Sequence, residues 1–150
     1  MAAEYLANAA QTVSLNEPVL FDASIPCSRG NVYHEDNTGV FILRGKTCQC
    51  FATYQVTFNG NIAIPAGGTA APIAGAITVN GEPRPTSRAQ FTPAAAEEFG
   101  NVTSTAIVRV PCGCCFSIGV DYVNGNDVAT ATPAPAITVQ NANLVIERIS

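Results

Sequence analysis

The apolar residues of this chain recur at every second position along several short segments. In residues 51–58, the side chains of Ala52, Tyr54, Val56 and Phe58 alternate with a more polar set. Because successive side chains of a strand point to opposite faces, this alternation predicts a strand with one face in the core. Similar patterns recur towards the end of the chain. The predicted core or interface residues are Tyr54, Phe58, Phe116, Ile118, Leu144 and Ile146.

Turn signals divide the chain into about eight to ten such segments. Asn80-Gly81 is a strong signal for a tight hairpin turn, and residues 124–127 carry a second one. Only residues 4–8 and 94–100 have the composition of a helical turn, and no segment has the period of an amphipathic helix. The pattern therefore predicts an all-β fold, a two-sheet antiparallel sandwich of the jelly-roll type.

The length and the first strand signal predict one domain. A chain of 150 residues has the size of one domain with one core. Residues 1–17 are small and polar, and we expect them to form an N-terminal arm or tether outside the core. The β pattern begins at residue 18, so a single jelly-roll domain is predicted for residues 18–150.

Composition limits the partners of this domain. Charged residues make up only 12% of the chain and hydrophobic residues 47%, so we expect a surface that is neutral and polar or covered by other subunits. The net charge is -4 and the seven basic residues are scattered, which argues against nucleic acid as a partner. No apolar run approaches the roughly 20 residues of a membrane span. The start lacks a conventional signal peptide, yet an extracellular or particle-surface location is expected.

Cysteine is the most informative residue type in the chain. The six cysteines are Cys27, Cys48, Cys50, Cys112, Cys114 and Cys115. Their C-x-C and C-x-C-C spacings differ from the C-x2-C pairs that tetrahedral zinc sites favour. Disulfides are therefore favoured over free thiols and over a metal centre, but the spacing selects no pairing. Pro111 and Gly113 predict a turn at the second group, within a hairpin.

Few other residues are candidates for metal binding or catalysis. His34 is the only histidine, and Asp121 and Asp127 flank an Asn-Gly turn, so these three are weak metal candidates. A strand-end histidine and an ordinary hairpin are the simpler interpretations, and no cofactor is predicted. Because there is no nucleophile motif and no facing pair of acidic residues, we do not expect an enzyme.

Four stretches occur in an order that is typical of a known family. Residues 38–63 (TGVFILRG, then FATYQVTFNGNIA) hold a short strand, a glycine and a long aromatic strand, and residues 76–93 hold an apolar strand, Asn-Gly and a polar strand. Residues 101–124 hold a strand pair around the cysteine turn, and residues 142–150 (ANLVIERIS) hold a final strand. Together they resemble the tumour-necrosis-factor-like (TNF-like) and complement-q-like jelly rolls. They resemble in particular the C-terminal domains of collagen-like glycoproteins of the bacterial spore surface, the exosporium.

This resemblance implies a ten-strand, two-sheet jelly roll that assembles as a compact homotrimer. It also implies that Cys48 and Cys50 lie at the opposite end of the sandwich from residues 112–115. A bond between the two groups would then be too long, so Cys27 is expected to pair with Cys48 or Cys50. The remaining thiols would bond each other or tie neighbouring subunits together.

The resemblance also implies a function. We expect a non-enzymatic structural or adhesive module, a trimeric subunit of a bacterial or phage surface fibre, coat or filament that disulfides stabilise. The alternatives are a head domain that binds a receptor or a surface glycan, and a cysteine-based metal-binding or redox protein.

Overall fold

The computed structural model describes residues 2–25, 32–45, 50–125 and 132–149. These residues form an all-β sandwich of two antiparallel sheets, as predicted. One turn of 3-10 helix, Pro85–Ser87, is the only helix among the residues that the structure describes. No helix there has the length and apolar character needed to cross a membrane.

Each sheet has six strands, and the long strands alternate between the sheets along the chain. Sheet A contains β1 (Ala2–Ala7), β2 (Gln11–Ser14), β3 (Ala23–Ile25), β6 (Phe51–Ala63), β10 (Gly100–Pro111) and β12 (Ala136–Arg148). Sheet B contains β4 (Val32–His34), β5 (Phe41–Arg44), β7 (Ile73–Val79), β8 (Glu82–Pro83), β9 (Ala89–Phe91) and β11 (Cys115–Asn124). The strand order is β10-β6-β12-β1-β3 in sheet A, with β2 also on β12, and β4-β5-β11-β7-β8 in sheet B, with β9 also on β7. This alternation is the connectivity of a jelly roll.

The core lies between the inner faces of the two sheets. Of the predicted core residues, Tyr54, Phe58, Ile118, Leu144 and Ile146 are buried there, and Phe116 is half-buried against the same cluster. The two buried tyrosines also satisfy their hydroxyl groups, because Tyr54 Oη donates to the Arg44 carbonyl at 2.7 Å and Tyr122 Oη donates to the Ala134 carbonyl at 2.6 Å. Buried hydroxyls without such partners would destabilise the core.

The N-terminal residues, which we expected to form an arm outside the core, are part of sheet A. Strand β1 pairs with β12 from Ala2↔Glu147 to Ala7↔Ala142 and with β3 on its other side. Its side chains Ala3, Tyr5 and Ala7 are buried. The alternation was there in the sequence, but two of its three inward residues are alanine, which carries too little hydrophobic signal to mark a strand. The helical turn predicted at residues 4–8 is replaced by this strand.

A short segment after β2 joins the two sheets at one edge. The backbone N–H of Val19 donates to the Val120 carbonyl of β11 at 2.8 Å, and Pro18 forms an isolated bridge with Asp121. The chain therefore leaves sheet A after β2 and runs beside β11 of sheet B. The backbone is closely packed at this crossing, where Gly39 lies between the segment after β2 and Gly119 of β11.

Two of the three turns predicted from glycine are formed, but the one at the cysteines connects different elements than expected. The third, at residues 124–127, lies partly outside the described residues. Asn80 and Gly81 have φ values of 53° and 85° and join β7 to β8, as in a tight hairpin. At the cysteine corner, Gly113 has φ 75° and the Cys114 N–H donates to the Pro111 carbonyl at 3.1 Å. However, β10 belongs to sheet A and β11 to sheet B, so the corner crosses between the sheets and is not a hairpin within one sheet.

Candidate functional site

Cys50, Cys112, Cys114 and Cys115 lie at one end of the sandwich. The Cys112 N–H donates to the Cys50 carbonyl at 3.0 Å, and the Gly45 N–H donates to the Cys114 carbonyl at 2.9 Å. The expectation that Cys50 and residues 112–115 lie at opposite ends is therefore wrong. Strand β6 begins directly after Cys50, and its antiparallel partner β10 ends directly before Cys112, so antiparallel pairing brings the two cysteines together.

The predicted disulfides are not found within the described part of the chain. Cys50, Cys112, Cys114 and Cys115 are free and exposed there. Cys27 and Cys48, which take part in the expected local pair, lie outside the described residues. In the same part of the chain, no group of three or more His, Cys, Asp or Glu side chains is arranged to hold a metal ion.

An apolar patch adjoins this cysteine end on the outer face of sheet A. It consists of Phe51, Ile107 and Ile149, whose side chains are 41%, 44% and 50% exposed. The Arg109 guanidinium lies over the Phe51 ring, 4.1 Å from its centroid. Ile149 is held on this face because its N–H donates to the Thr53 carbonyl at 2.8 Å. By the strand register the three side chains lie on three neighbouring strands, all within four residues of the Phe51–Pro111 end of the strand pair. Large apolar side chains exposed in this way suit contact with another protein surface.

Most of the remaining outer face of sheet A is neutral and polar. On the two neighbouring strands β6 and β10, the outward side chains beyond the patch are, apart from Arg109, Thr53, Gln55, Thr57, Asn59, Asn61, Asn101, Thr103 and Thr105. Thr57 and Thr105 face each other across the strand pair with their hydroxyls 3.3 Å apart. The low charge of the sequence is thus visible on one broad face.

The outer face of sheet B is more covered. Strand β7 is buried on both faces, since Ala74, Ala76 and Thr78 point away from the core and are nevertheless buried. The backbone of Gly39 lies against Gly119 of the neighbouring strand β11. Sheet A therefore offers the broader open surface.

The edge strand β10 is partly protected. The Arg84 guanidinium donates to the Ile107 carbonyl, and the Ser104 hydroxyl donates to the Ser87 carbonyl. Ser87 itself is buried, and its hydroxyl accepts a hydrogen bond from the Ile77 N–H at 2.9 Å. Such contacts limit the open backbone groups through which an edge strand pairs with other chains.

His34, a weak metal candidate, has a structural environment. Its ring stacks on Phe41 with centroids 4.2 Å apart and meets the Tyr5 ring edge-on at 5.0 Å. Its Nε2–H donates a hydrogen bond to the Thr38 carbonyl oxygen at 2.9 Å. The other ring nitrogen, Nδ1, is buried and has no hydrogen-bond partner among the described residues. The side chain therefore packs into an aromatic cluster, and among the described residues it belongs to no group of three or more His, Cys, Asp or Glu side chains that could hold a metal ion.

Asp121, a second weak candidate, lies where the segment after β2 meets sheet B. Burial, together with the negative charge of Glu17, raises the pKa of Asp121 from 3.8 to about 6. Asp127, the third candidate, lies outside the described residues. Burial disfavours the charged form of the carboxyl group, and the nearby carboxylate of Glu17 disfavours it further.

Replacing Asp121 by asparagine is expected to stabilise the protein at neutral pH. The raised pKa means that the native state holds the Asp121 proton more tightly than the unfolded state, so the contribution of this group is complete below pH 3.8 and is lost as pH rises through about 6. Because the side chain is only half-buried, solvent screening reduces the effect to about 1 kcal/mol. Urea unfolding of D121N at pH 4 and pH 7.5 should show this gain at pH 7.5 only. An equal gain at both pH values, or the same behaviour in the exposed-site control D22N, would contradict the assignment.

Solved structures with the same fold cover nearly the whole chain. The globular domain of zebrafish complement 1qA is 14% identical with a TM-score of 0.62, and the match covers 99% of this chain and 97% of that one. Eiger TNF from S. frugiperda is 12% identical with a TM-score of 0.62, covering 100% and 92%. Murine APRIL is 9% identical with a TM-score of 0.61, covering 99% and 98%. No protein-family model and no curated protein matches the chain.

These similarities confirm the predicted TNF-like and complement-q-like jelly roll. At 9–14% identity they show the fold alone. The predicted resemblance to spore-surface glycoproteins is not shown by them.

Proposed function

We propose that the chain is a non-enzymatic head domain that assembles as a homotrimer. In this proposal it is a structural or adhesive subunit of an extracellular or particle-surface assembly, such as a bacterial or phage fibre, coat or filament. The TNF-like fold supports the proposal, because a trimer is what the resemblance to this class of jelly rolls implies.

The apolar patch is the observation that carries the proposal. Phe51, Ile107 and Ile149 are exposed on the open face of sheet A, and burying them against a second copy would gain hydrophobic free energy of roughly 25 cal/mol per Å² of apolar surface. The surrounding threonines, asparagines and glutamine add little charge that would have to be desolvated. A cyclic trimer closes on itself, so the patch of every subunit is covered within the trimer.

The exposed thiols support covalent links between subunits. Cys50 directly precedes Phe51 of the apolar patch, and Cys112 lies opposite Cys50 across the strand pair. Thiols at the rim of an interface can meet a neighbouring subunit when the interface forms. Oxidation by dissolved oxygen would remove two protons and two electrons from two such thiols and form one S–S bond.

A charge in the apolar patch is expected to dissociate the trimer. In reducing buffer, the wild type should sediment with three times the mass of the chain. I107E should sediment as a monomer, because moving a carboxylate from water into an apolar interface is costly. Analytical ultracentrifugation over a range of protein concentrations gives both masses.

V40E is the matched control, because Val40 is a similarly exposed β-branched residue outside the patch. This variant should remain trimeric. A wild type that is monomeric at all concentrations would refute the trimer, and dissociation of both variants would refute the assignment of the interface to the patch.

The same measurement without reductant tests the thiols. Wild-type protein should show covalently linked species on non-reducing gels, and a variant with Cys50, Cys112, Cys114 and Cys115 changed to serine should show fewer. Reduction should return the wild type to the non-covalent trimer. Unchanged linkage in the serine variant would exclude these four thiols as the source.

A further inference from the structure

A second feature of the outer face of sheet A is a pocket of about 400 Å³ far from the cysteine end. Glu4, Leu6 and Asn8 line it from the first strand and the residue after it. The other lining residues are Asn59, Asn141, Ala142 and Asn143. Asn59 is eight residues beyond Phe51 along β6 and four beyond Gln55, the partner of Ile107, which places it about 25 Å from Phe51 and about 13 Å from Ile107 along the strands at 3.3 Å per residue. The two features are therefore separate.

Asparagine side chains form a hydrogen-bonded network around this pocket. Asn59 Oδ1 accepts two hydrogen bonds, from Asn101 Nδ2 at 2.9 Å and from Thr103 Oγ1 at 3.0 Å. Asn141 Nδ2 donates to Asn8 Oδ1 at 2.7 Å. On the other side of Asn141, its Oδ1 accepts from Asn61 Nδ2 at 3.3 Å. These hydrogen bonds show whether the oxygen or the nitrogen of each side-chain amide is already engaged.

The groups that remain unused are a mixed set of donors and acceptors. Since the oxygens of Asn59 and Asn8 accept within the network, their NH₂ groups are left to donate, and neither donates to another described residue. Asn143 uses its nitrogen to contact Glu4 Oε1 at 3.5 Å, which leaves its own oxygen and the second Glu4 oxygen as acceptors. Each amide nitrogen carries two protons and each oxygen two lone pairs. The pocket therefore offers both kinds of hydrogen-bonding group within a small area.

A β-bulge shapes the pocket. The pairing of β12 with β6 shifts between Gln140 and Asn143, and Asn141 within the bulge has a left-handed φ of 54°. The bulge lets the Asn141 N–H donate to the Asn8 carbonyl at 3.3 Å and leaves Ala142 buried beneath the asparagines. Bulges and single residues held at positive φ recur where a sheet re-aims side chains towards a ligand.

From this set we infer that the pocket binds a neutral, polyhydroxylated ligand, a pyranose sugar or the terminal sugar of a glycan. Sugar hydroxyls both donate and accept, and they match amides and a carboxylate better than any single charged group does. The lining contains no Lys, Arg or His to attract phosphate or carboxylate ligands. Leu6, which is half-buried, offers a small apolar surface for the C–H groups of the ring. Without an aromatic platform in the lining, a dissociation constant of about 1–10 mM is expected for a single sugar.

Saturation-transfer difference NMR tests the site. The probes are D-glucose, D-galactose, L-rhamnose and N-acetyl-D-glucosamine, each titrated against the wild-type chain. At least one should receive saturation. N59D and N8D replace a free NH₂ by an oxygen without changing the shape, so each should weaken that sugar's binding at least five-fold.

N16D is the matched control, because Asn16 is an exposed asparagine outside the pocket that also has a positive φ. Its dissociation constant for the sugar should lie within two-fold of the wild-type value. Circular dichroism should show that all three variants are folded. No saturation of any probe, binding unchanged in N59D and N8D, or a response to calcium chloride alone would overturn the inference. Because Ile107 does not line the pocket, the titration repeated on I107E separates a failure of this site from a failure of the trimer.

Discussion

Replacing Phe58 by alanine is expected to lower the free energy of unfolding by about 3–5 kcal/mol. The Phe58 side chain is 1% exposed and lies on the inner face of β6, the strand that pairs with both β10 and β12. Its ring reaches across to sheet B, where a Cβ built on Gly75 of β7 would lie 3.8 Å from it. Removing the ring leaves a cavity between the two sheets that neither can close, because both are held by long hydrogen-bonded ladders.

Urea unfolding followed by circular dichroism, at one fixed protein concentration, measures this loss. The concentration is fixed because assembly adds to the apparent stability of a native subunit. F99A is the control, since Phe99 is 44% exposed and its removal should cost less than about 1 kcal/mol. A cost below about 1 kcal/mol for F58A would mean that this face of β6 is not in the core.

The faces of the long strands could be predicted from the sequence because burial follows a local period of two. The pattern placed Tyr54 and Phe58 on the inner face of one strand and Leu144 and Ile146 on that of another, and all four side chains are buried. Asn80-Gly81 could be predicted as a turn for an equally local reason, since a tight hairpin requires positive φ at both positions.

Partners of the strands could not be predicted in the same way. Nothing local to the alanine-rich first strand shows that it will pair with the last strand of the chain. The cysteine corner could be predicted as a turn, but whether a turn returns within one sheet or crosses to the other depends on which strands β10 and β11 pair with. That choice also decides that Cys50 meets Cys112.

The asparagine pocket shows the same limit for function. Glu4 and Asn143 are 139 positions apart in the chain, and each alone is an ordinary polar residue. No motif with a fixed spacing connects them, so sequence reasoning about sites did not single out any lining residue. The signal that was available is the unusual number of Asn residues at outward positions of several strands, and it becomes informative only once the strand registers are known.

The packing of the loop at residues 38–39 on sheet B depends on glycine at position 119. A Cβ at Gly119 would lie 2.6 Å from the Gly39 carbonyl oxygen and 3.3 Å from Thr78 Oγ1. Gly39 cannot retreat freely, because its own Cβ position lies 2.5 Å from Pro18 Cβ and 2.8 Å from the Val19 carbonyl oxygen. The strand, the loop and the segment after β2 are therefore stacked with no room for a methyl group.

G119A is accordingly expected to lower the free energy of unfolding by about 2–3 kcal/mol, since the colliding atoms belong to backbone and not to a flexible side chain. G75A is its matched control on the neighbouring strand β7, where a new Cβ meets nothing closer than 3.8 Å. This second variant should change stability by less than about 1 kcal/mol, and it can stabilise the strand because alanine loses less backbone entropy than glycine on folding. Urea unfolding of both variants measures the difference. Equal stabilities would show that the loop does not rest on β11, and the crossing of the N-terminal segment to sheet B would have to be reassigned.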